Sequence, residues 1–487
     1  MEAALLADVL ANPASDATRL VLADWWMQRG DPRGEFVIVQ CEAERADLGD
    51  GVKARMDERA AELLKQHQSD WLAPMELAPD EVRWRRGFVE DLTIRWDRLQ
   101  KIWQRVFATT PLRHAHPHFC RKRDEIRAAC ALPWPSSLTS LKLNKARDHD
   151  AVGVVTASPI VLQLHALELS EYNITDDGAR SLAAADLRSL RELDLGYNAI
   201  GPAGVAALAS APSLTGLTKL SLTRNGLGVA GAVAVADGCA TMPALAWLSL
   251  MSNPIGDGGA AALAACSHLA GLRELLLLDT QIGAAGVAAL AGSASLRRLS
   301  RLVLGGNQIG VEGARALARS QLGELRELSL DNNPVTDDGA RAIAGSDTFA
   351  RLEHLSLNWT GLTGDGALAL ARSPRLPAVS ELKLSGNALG SAVAAIAQSP
   401  IAARLRRFEL KETGIDDDAA VAIASSADLA HLLMLDLSGN PVGERGLLAL
   451  AASPHLRELV WLNLYACQMT DRARAALRER FGRHAVT

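Results

Sequence analysis

The stretch LRELDLGYNAIGPAGVAALASAPSL, from Leu190 to Leu214, decides the fold. Its first eleven residues follow the pattern L-x-x-L-x-L-x-x-N-x-I, and those that follow are mostly Gly, Ala, Val and Leu. The same pattern begins again 27 residues later, at Leu217. A sequence that returns to one pattern at a short, fixed period predicts stacked copies of a single structural unit.

Thirteen repeats of this pattern follow one another at intervals of 26 to 28 residues. Their first residues are Leu138, Leu164, Leu190, Leu217, Leu245, Leu272, Leu299, Leu325, Leu352, Val379, Leu405, Leu432 and Leu459. The ninth position holds Asn in seven repeats and Thr in three, with Ala146, Tyr172 and Cys467 in the others. This regularity predicts one array over 138–475.

Each repeat is predicted to contain a strand, a turn and a helix. In the L-x-L segment the two leucines point to the same side of an extended chain. The asparagine amide can bond backbone groups that the turn leaves unpaired, which threonine or cysteine can do only in part. Thr175 and Thr336 are predicted to be helix N-caps, with acidic residues in the first turn.

These features resemble the leucine-rich repeat, and specifically its ribonuclease-inhibitor-like class, in which every repeat has a helix. The resemblance covers about 138–475. It implies an α/β solenoid. Because strands stack about 4.8 Å apart and helices about 8–10 Å apart, such an array should curve into a horseshoe. Parallel strands would line the concave face and helices the convex face.

The amino-terminal region, 1–80, has no repeat and is predicted to form three amphipathic helices with turns near Pro13, Gly30–Gly34 and Gly49–Gly51. The segments RLVLADW (19–25), RGDPRGEFVIVQ (29–40), RRGFVEDLTI (85–94) and TTPLRHAHPHF (109–119) resemble the bacterial repeat-companion domain. That resemblance implies a bacterial protein but no activity. We expect 81–137 to hold degenerate first repeats and a cap, and 476–487 a carboxyl-terminal cap and tail.

Two neighbouring repeats place large apolar residues beside the leucines, where most repeats have small or polar ones. The predicted partner-binding residues are Trp247, Met251, Leu276, Leu278 and Val303. Exposed apolar patches on a regular scaffold mark partner sites, although a segment of the protein itself could also cover them. For a secondary patch, Met434, Trp461 and Tyr465, packing against the terminal cap is an equally supported interpretation.

The histidines His114, His116 and His118 alternate, so they would share one side of a strand. With Cys120 they could bind zinc. Pro117 should interrupt a regular strand, however, and no carboxylate partner is evident, so no metal or other cofactor is predicted. Arginines and tryptophans mix between Arg83 and Arg127, but acidic residues are interleaved, so nucleic acid is not the expected partner.

Composition excludes several other classes of protein. The formal charge of −5 gives no general attraction to nucleic acid or anionic membranes. The six cysteines form no C-x-x-C pair, which favours free thiols in a reducing compartment. No apolar run is long enough to span a membrane, and the amino terminus lacks the basic start of a signal peptide. A soluble, cytoplasmic protein, monomeric by preference, is expected.

No nucleotide-binding, hydrolase or metalloprotease motif occurs in the chain. The sequence therefore favours a non-enzymatic scaffold that binds a protein through the concave strand face. The array is also similar to that of Ran GTPase-activating proteins, which stimulate a small GTPase, but none of their catalytic residues can be matched here. A ubiquitin-ligase effector is less favoured, because Cys467 holds a ladder position and no catalytic domain follows residue 475.

Overall fold

The computed structural model describes residues 1–45, 50–143 and 151–482. The ninth-position residue Ala146 and the tail residues 483–487 lie outside the described residues. The chain divides into two compact bodies. The amino-terminal body comprises 1–199 and 211–217, and the carboxyl-terminal body comprises 200–210 and the residues from 218 onward.

The amino-terminal body begins with helices and continues as alternating strands and helices. Its helices are α1 (Glu2–Ala11), α2 (Asp16–Met27), α3 (Pro32–Ala43), α4 (Asp50–Leu72), α5 (Trp96–Phe107), α6 (Arg123–Cys130), α7 (Ala151–Thr156) and α8 (Asp176–Ala184). Its strands are β1 (Val82–Arg85), β2 (Phe88–Arg95), β3 (His114–His118), β4 (Ser140–Lys142), β5 (Ala166–Glu168) and β6 (Glu192–Asp194). β1 pairs antiparallel with β2, and β2 to β6 are parallel and in sequence order.

The amino-terminal region contains four helices, so the prediction of three was wrong. The middle stretch divides because Gly30 has a φ of 71° and ends α2, while the Asp31 carboxylate accepts a hydrogen bond from the Arg33 N–H at 2.9 Å and starts α3. Gly34 lies inside α3 and not in the turn. A Cβ there would lie 2.5 Å from the Ala23 carbonyl oxygen, so glycine lets α2 and α3 approach closely.

The segments that resemble the companion domain meet in space. Arg19 of α2 is fully buried and forms an ion pair with Glu90 of β2 at 2.7 Å. Arg86, in the turn before β2, contacts the same carboxylate at 3.0 Å. The N–H of Gly87 donates to the Gln40 side-chain oxygen at 2.7 Å. Helices α2 and α3 are therefore fastened to the β1–β2 hairpin by buried polar contacts.

The carboxyl-terminal body is the regular part of the array. Its strands are β7 (Lys219–Ser221), β8 (Trp247–Ser249), β9 (Glu274–Leu276), β10 (Arg301–Val303), β11 (Glu327–Ser329), β12 (His354–Ser356), β13 (Glu381–Lys383), β14 (Arg407–Glu409), β15 (Met434–Asp436) and β16 (Trp461–Asn463). Its helices are α9 (Pro202–Ala209), α10 (Val229–Gly238), α11 (Gly256–Ala265), α12 (Ala284–Gly292), α13 (Gly310–Ala318), α14 (Thr336–Ala344), α15 (Gly364–Ala371), α16 (Ala392–Ile396), α17 (Asp417–Ser425), α18 (Glu444–Ala452) and α19 (Asp471–Phe481).

Each strand pairs in parallel with the strand of the next repeat, and the leucines align in a row. Leu220 is in register with Leu248, Leu248 with Leu275, and Leu275 with Leu302. These side chains are buried, as are the leucines two residues further along. The fold class is confirmed as α/β, with parallel strands alternating with helices in a repeat solenoid.

The asparagines form the predicted ladder. The Asn253 side-chain oxygen accepts bonds from the N–H groups of Asn225 and Leu227, at 2.9 and 3.0 Å. Its amide donates to the carbonyls of Leu222 and Leu250, at 2.9 and 3.0 Å. Each Asn thereby joins its own turn to that of the preceding repeat. Threonine is only a partial substitute: the Thr280 hydroxyl donates to the Leu277 carbonyl of its own repeat and to the Asn307 oxygen.

The prediction of helix N-caps is confirmed in position for Thr175 and wrong for Thr336. Thr175 occupies the N-cap of α8 without a side-chain bond to the helix. Thr336 is already the first residue of α14, with a φ of 54°, because its N–H turns to donate to the Thr360 carbonyl. The Asp337 carboxylate instead accepts from the N–H groups of Thr363 and Gly366 in the next repeat, at 2.8 and 3.1 Å. An acidic residue of one repeat thus caps the helix of its neighbour.

Candidate protein-binding surface

The strand face of each repeat presents the third, fifth and seventh residues, counted from the first leucine. The first, fourth and sixth residues are the buried leucines, so the alternation of a strand places the others on the opposite side. In the carboxyl-terminal body, the fifth position places Ser249, Leu276 and Val303 side by side in register. We refer to this exposed side as the strand face.

The predicted apolar residues occupy three positions of the repeat on the strand face. Leu276 and Val303 are register neighbours, and Met251 and Leu278 hold the seventh position of adjacent repeats. Trp247, at the third position, lies between Lys219 and Glu274. Trp247, Met251, Leu278 and Val303 are half-buried, whereas Leu276 is only 9% exposed and offers little surface.

The side chain of Leu278 has room to lie over the next repeat because that repeat has a glycine, Gly305, at the contact. A Cβ on Gly305 would lie 2.8 Å from a terminal methyl carbon of Leu278, so the leucine occupies the space that a side chain would take there. Next to it, a Cβ on Gly306 would collide with Asp279. Small residues at these positions let the side chains of one repeat lie over the backbone of the next.

Leu278 and Val303 form one end of a groove of about 440 Å³ on the strand face. The rest of the lining is mostly polar and charged, with two buried leucines of the strands below: Arg301, Glu327, Leu328, Ser329, Asp331, His354, Leu355, Ser356, Glu381, Lys383 and Arg407. Trp247, Met251 and Leu276 do not line it. The groove therefore combines an apolar end with a longer charged floor.

The third-position residues of six successive repeats form an alternating row, which we call the charge row. Its members are Glu274, Arg301, Glu327, His354, Glu381 and Arg407. Arg301 lies 3.5 Å from Glu274 and 3.0 Å from Glu327, and His354 lies 3.0 Å from Glu381. These contacts hold extended side chains in fixed positions across the floor of the groove.

Glu381 is the centre of the most connected part of the charge row. It contacts Lys383 at 3.0 Å and Arg407 at 3.3 Å as well as His354. Burial raises the pKa of the Glu381 carboxyl, but the hydrogen bond from Lys383 and the surrounding positive charges outweigh it and lower the pKa overall. Glu409, which lies 3.5 Å from Lys383, has its pKa raised by burial.

Sequence reasoning found the apolar end of the groove and missed the charge row. It considered mainly the fifth and seventh positions, which are Ser, Thr, Asp or Gly in many repeats. The signal lay two residues earlier, where the third position alternates between Glu and Arg or His from Glu274 to Arg407. Comparing the same position across repeats, instead of scanning along the chain, would have revealed it.

The secondary patch lies at the end of the array. Met434 and Trp461 are register neighbours and half-buried, while Tyr465 is 75% exposed. The Arg407 guanidinium lies 2.9 Å from the Met434 sulfur. Trp461 and Tyr465 belong to the last described strand and the turn that follows it.

The amino-terminal body has its own groove, of about 810 Å³, over β1 to β6. His114 and His116 line it, together with acidic and basic residues of the neighbouring strands. His114 lies 3.7 Å from the Asp91 carboxylate. His118 is outside the groove lining, and its pKa is lowered by burial and by the charge of Arg95.

The histidine segment is a strand, so the expectation that Pro117 would interrupt it was wrong. Pro117 pairs with Ile94 of β2, while β4 reaches only His114 and Ala115. The proline therefore lies where no bond to β4 is required. Within the described residues, no group of three His, Cys, Asp or Glu side chains is placed to hold a metal ion. Cys120 is buried, and burial raises the pKa of its thiol.

Two further observations concern the state of the cysteines and the length of the helices. All six cysteines are free, and five of them are buried. In the part of the chain that the structure describes, no helix has the length and apolar character needed to cross a membrane.

Seven segments of the chain match a family model described as "Leucine Rich repeat". They are 186–209, 214–236, 248–264, 296–318, 325–344, 352–371 and 429–451. All seven lie inside the array of strands and helices described above. The matched repeats are therefore leucine-rich repeats, and the fold is a leucine-rich-repeat solenoid. None of the curated proteins matches the chain.

Several solved structures are similar at low identity. An internalin from Listeria monocytogenes is 18% identical, with 73% of this chain and 86% of that chain covered and a TM-score of 0.37. A chain of the Rad7 and Elc1 complex of yeast is 14% identical, covering 86% and 98% with a TM-score of 0.48. A leucine-rich-repeat protein of Leptospira interrogans is 16% identical, covering 82% and 95% with a TM-score of 0.36.

Proposed function

We propose that this protein is a non-enzymatic scaffold whose strand face binds a protein partner in the groove that begins at Leu278 and Val303. One observation carries the proposal: half-buried apolar side chains continue directly into an ordered charge row. Leucine-rich-repeat folds are typical of protein-interaction scaffolds, and parallel strands supply a rigid surface whose positions can vary independently.

The groove suits a partner with one apolar anchor beside a polar, mixed-charge segment. Desolvated apolar pockets at the centre of an interface supply most of the binding energy, while charged surroundings set orientation and partner choice. Leu278 and Val303 would receive the anchor, and Arg301, Glu327 and Glu381 would orient the rest. Trp247 and Met251 would extend the contact beyond the Glu274 end of the charge row.

The test replaces Trp247 and Leu278 with Asp and compares capture of host proteins with that by the unmodified chain. We expect at least tenfold less partner, because each carboxylate would be buried against an apolar surface. The matched control is Val233→Asp on α10, an exposed apolar residue outside the strand face. The thermal midpoint should hardly change in any of these variants.

Equal loss of capture by the α10 variant would contradict the proposal. If the double variant unfolds, Leu278→Asn and Met251→Lys provide milder changes at half-buried positions. Partner binding that survives both of these variants would place the binding site elsewhere.

The finer classification is part of the same proposal. The helix in every repeat supports the ribonuclease-inhibitor-like class. The contacts of Arg19 with Glu90 and of Gln40 with Gly87 join the segments that resemble a repeat-companion module, which supports that module. With the module, we propose a bacterial, cytoplasmic protein. We place the module at 1–80, degenerate repeats at 81–137, the array at 138–475 and the cap at 476–487. No feature of the described residues favours the alternative GTPase-activating role.

A further inference from the structure

The backbone edge of β16 is open. In the preceding repeat, the Leu437 N–H donates to the Asn463 carbonyl and the Gly439 N–H donates to the Tyr465 carbonyl. The Leu433 carbonyl accepts from the N–H groups of Val460 and Trp461. The equivalent groups of the last strand are the N–H groups of Leu464 and Ala466 and the carbonyl of Val460. None of them has a hydrogen-bond partner among the described residues.

The side chains beside this edge are apolar and exposed. Val460 is 67% exposed and Tyr465 is 75% exposed. Soluble proteins usually protect an open strand edge with lysine, proline or a bulge. The segment Val460–Tyr465 contains no proline and no charged side chain. The strand layer at this end of the array is thus suited to pairing with another strand.

The outer side of the helix layer beside the edge carries two arginines and one exposed aspartate, Asp471, so it has an excess of positive charge. In α19, Ala473 and Leu477 are buried, and Arg472 faces α18, since it lies 3.5 Å from Glu444. At about 100° per residue, Arg474 and Arg478 lie about 200° and 240° around the helix from Arg472, on the side away from α18. Both are exposed, and neither forms an ion pair with any described residue.

We propose that the open edge of β16 is a second binding site, which accepts an extended, acidic segment of another protein as an added strand. The free N–H and carbonyl groups would pair with the backbone of the segment, and Tyr465, on the strand face, would pack against apolar side chains at alternate positions, while Val460 would contact the segment beside the start of β16. Arg474 and Arg478 would attract the acidic residues between them.

Arg474 and Arg478 also argue against a second copy of this chain as the segment that pairs with β16. A two-fold pairing of β16 with β16 would continue the sheet and place the two α19 helices next to each other. Arg474 and Arg478 of one copy would then face the same residues of the other, and like charges at short range are destabilising. An acidic partner segment has no such cost.

A labelled peptide of the sequence Asp-Val-Glu-Val-Asp-Val-Glu tests the site against the full chain by fluorescence anisotropy. The control peptide carries N-methyl groups on the amides of one edge, which removes several backbone donors without changing charge. We expect the control to bind at least about tenfold more weakly, because several backbone hydrogen bonds to the edge are lost. Equal binding of both peptides would overturn strand addition.

Val460→Lys should weaken peptide binding severalfold, since lysine blocks the edge. Ser380→Lys is the matched control: it introduces lysine at the same repeat position, where the backbone carbonyl already accepts from the N–H groups of Arg406 and Arg407. Arg474→Glu with Arg478→Glu should reverse the preference toward a peptide with Lys in place of Asp and Glu. Circular dichroism verifies that each variant is folded.

Two results would replace the proposed occupant. Dimerisation of the full chain that is lost in the Val460→Lys variant would assign the edge to a second copy. Binding that appears only after removal of residues 483–487 would assign it to the chain's own tail. Neither result would touch the groove at Leu278, so this site and the proposed function fail independently.

Discussion

The first and last strands of the described chain differ in what contacts them. The β1–β2 hairpin is fastened to α2 and α3 through Arg19, Glu90 and a bond from Gly87 to Gln40. β16 is a three-residue strand whose outer edge has no partner in the described residues. A repeat must cover the leucines of its neighbour, so an array needs ends that differ from its interior. Here one end is joined to a helical module, and at the other end the outer edge of β16 is unpaired among the described residues.

The largest expected effect concerns the closed end. Glu90→Gln leaves the fully buried Arg19 without its carboxylate, so we expect a loss of about 3–5 kcal/mol in the free energy of unfolding. Glu444→Gln removes the exposed pair with Arg472 at the other end and should cost less than about 1 kcal/mol. Urea denaturation followed by tryptophan fluorescence measures both. Equal costs would mean that the buried pair does not secure the module.

A smaller effect is expected from the ladder. Asn253→Ala leaves two buried N–H groups and two buried carbonyls without this partner, so we expect a cost of about 2–3 kcal/mol. Cys467 holds the same position in the last repeat and makes weak sulfur contacts, with the Leu437 carbonyl at 3.3 Å and with the Asn440 backbone, so Cys467→Ala should cost less than about 1 kcal/mol. A comparison of the two thermal midpoints tests the difference. A cost as large for Cys467→Ala would show that the last repeat is as tightly joined as the interior.

The smallest effect concerns the helix caps. Burial would raise the pKa of Asp337, but hydrogen bonds from Thr363 and Gly366 outweigh burial, and the pKa is lowered. The carboxylate therefore contributes stability above the unfolded pKa of about 3.9, and this contribution is lost as the pH falls through the lower folded pKa. Asp337→Asn should cost about 1 kcal/mol at neutral pH and progressively less below about pH 4.

Asp338→Asn is the control for this change, because its carboxylate contacts only Arg341 on the same exposed face. Stability curves from pH 2 to pH 7, by about half-unit steps, separate the two variants. A pH-independent cost for Asp337→Asn would refute the charged cap. The last helix, α19, is instead capped by its own Thr470 hydroxyl, which accepts from the Ala473 N–H.

The sequence predicted the repeat array well, because its signal is periodic. The spacing of the leucines located the strands β4 to β16, and the asparagine position anticipated the ladder. The exact ends of individual helices could not be predicted from the sequence. The division of α2 from α3 depends on the conformation of Gly30, and the backbone of Thr336 responds to a carbonyl in the next repeat. Such long-range bonds leave no local pattern.

The candidate site was predictable only in part, for a similar reason. Large apolar residues such as Leu278 stand out in a single repeat, whereas the charge row exists only between repeats. Its carboxylates and guanidinium groups are unremarkable one at a time. They acquire a shared arrangement because parallel stacking aligns residues that are 26 or 27 positions apart in the chain.

The charge row has a consequence for how a bound chain could be positioned. Neighbouring strands are about 4.8 Å apart, so a ligand with matching alternate charges that slipped by one strand would meet like charges at Arg301, Glu327, Glu381 and Arg407. A slip of two strands would restore the opposite charges at Glu327, Glu381 and Arg407. The row therefore permits only even displacements, and the leucine and valine at one end determine which of these is occupied. The position of a bound chain along the array would therefore change only in steps of whole repeats.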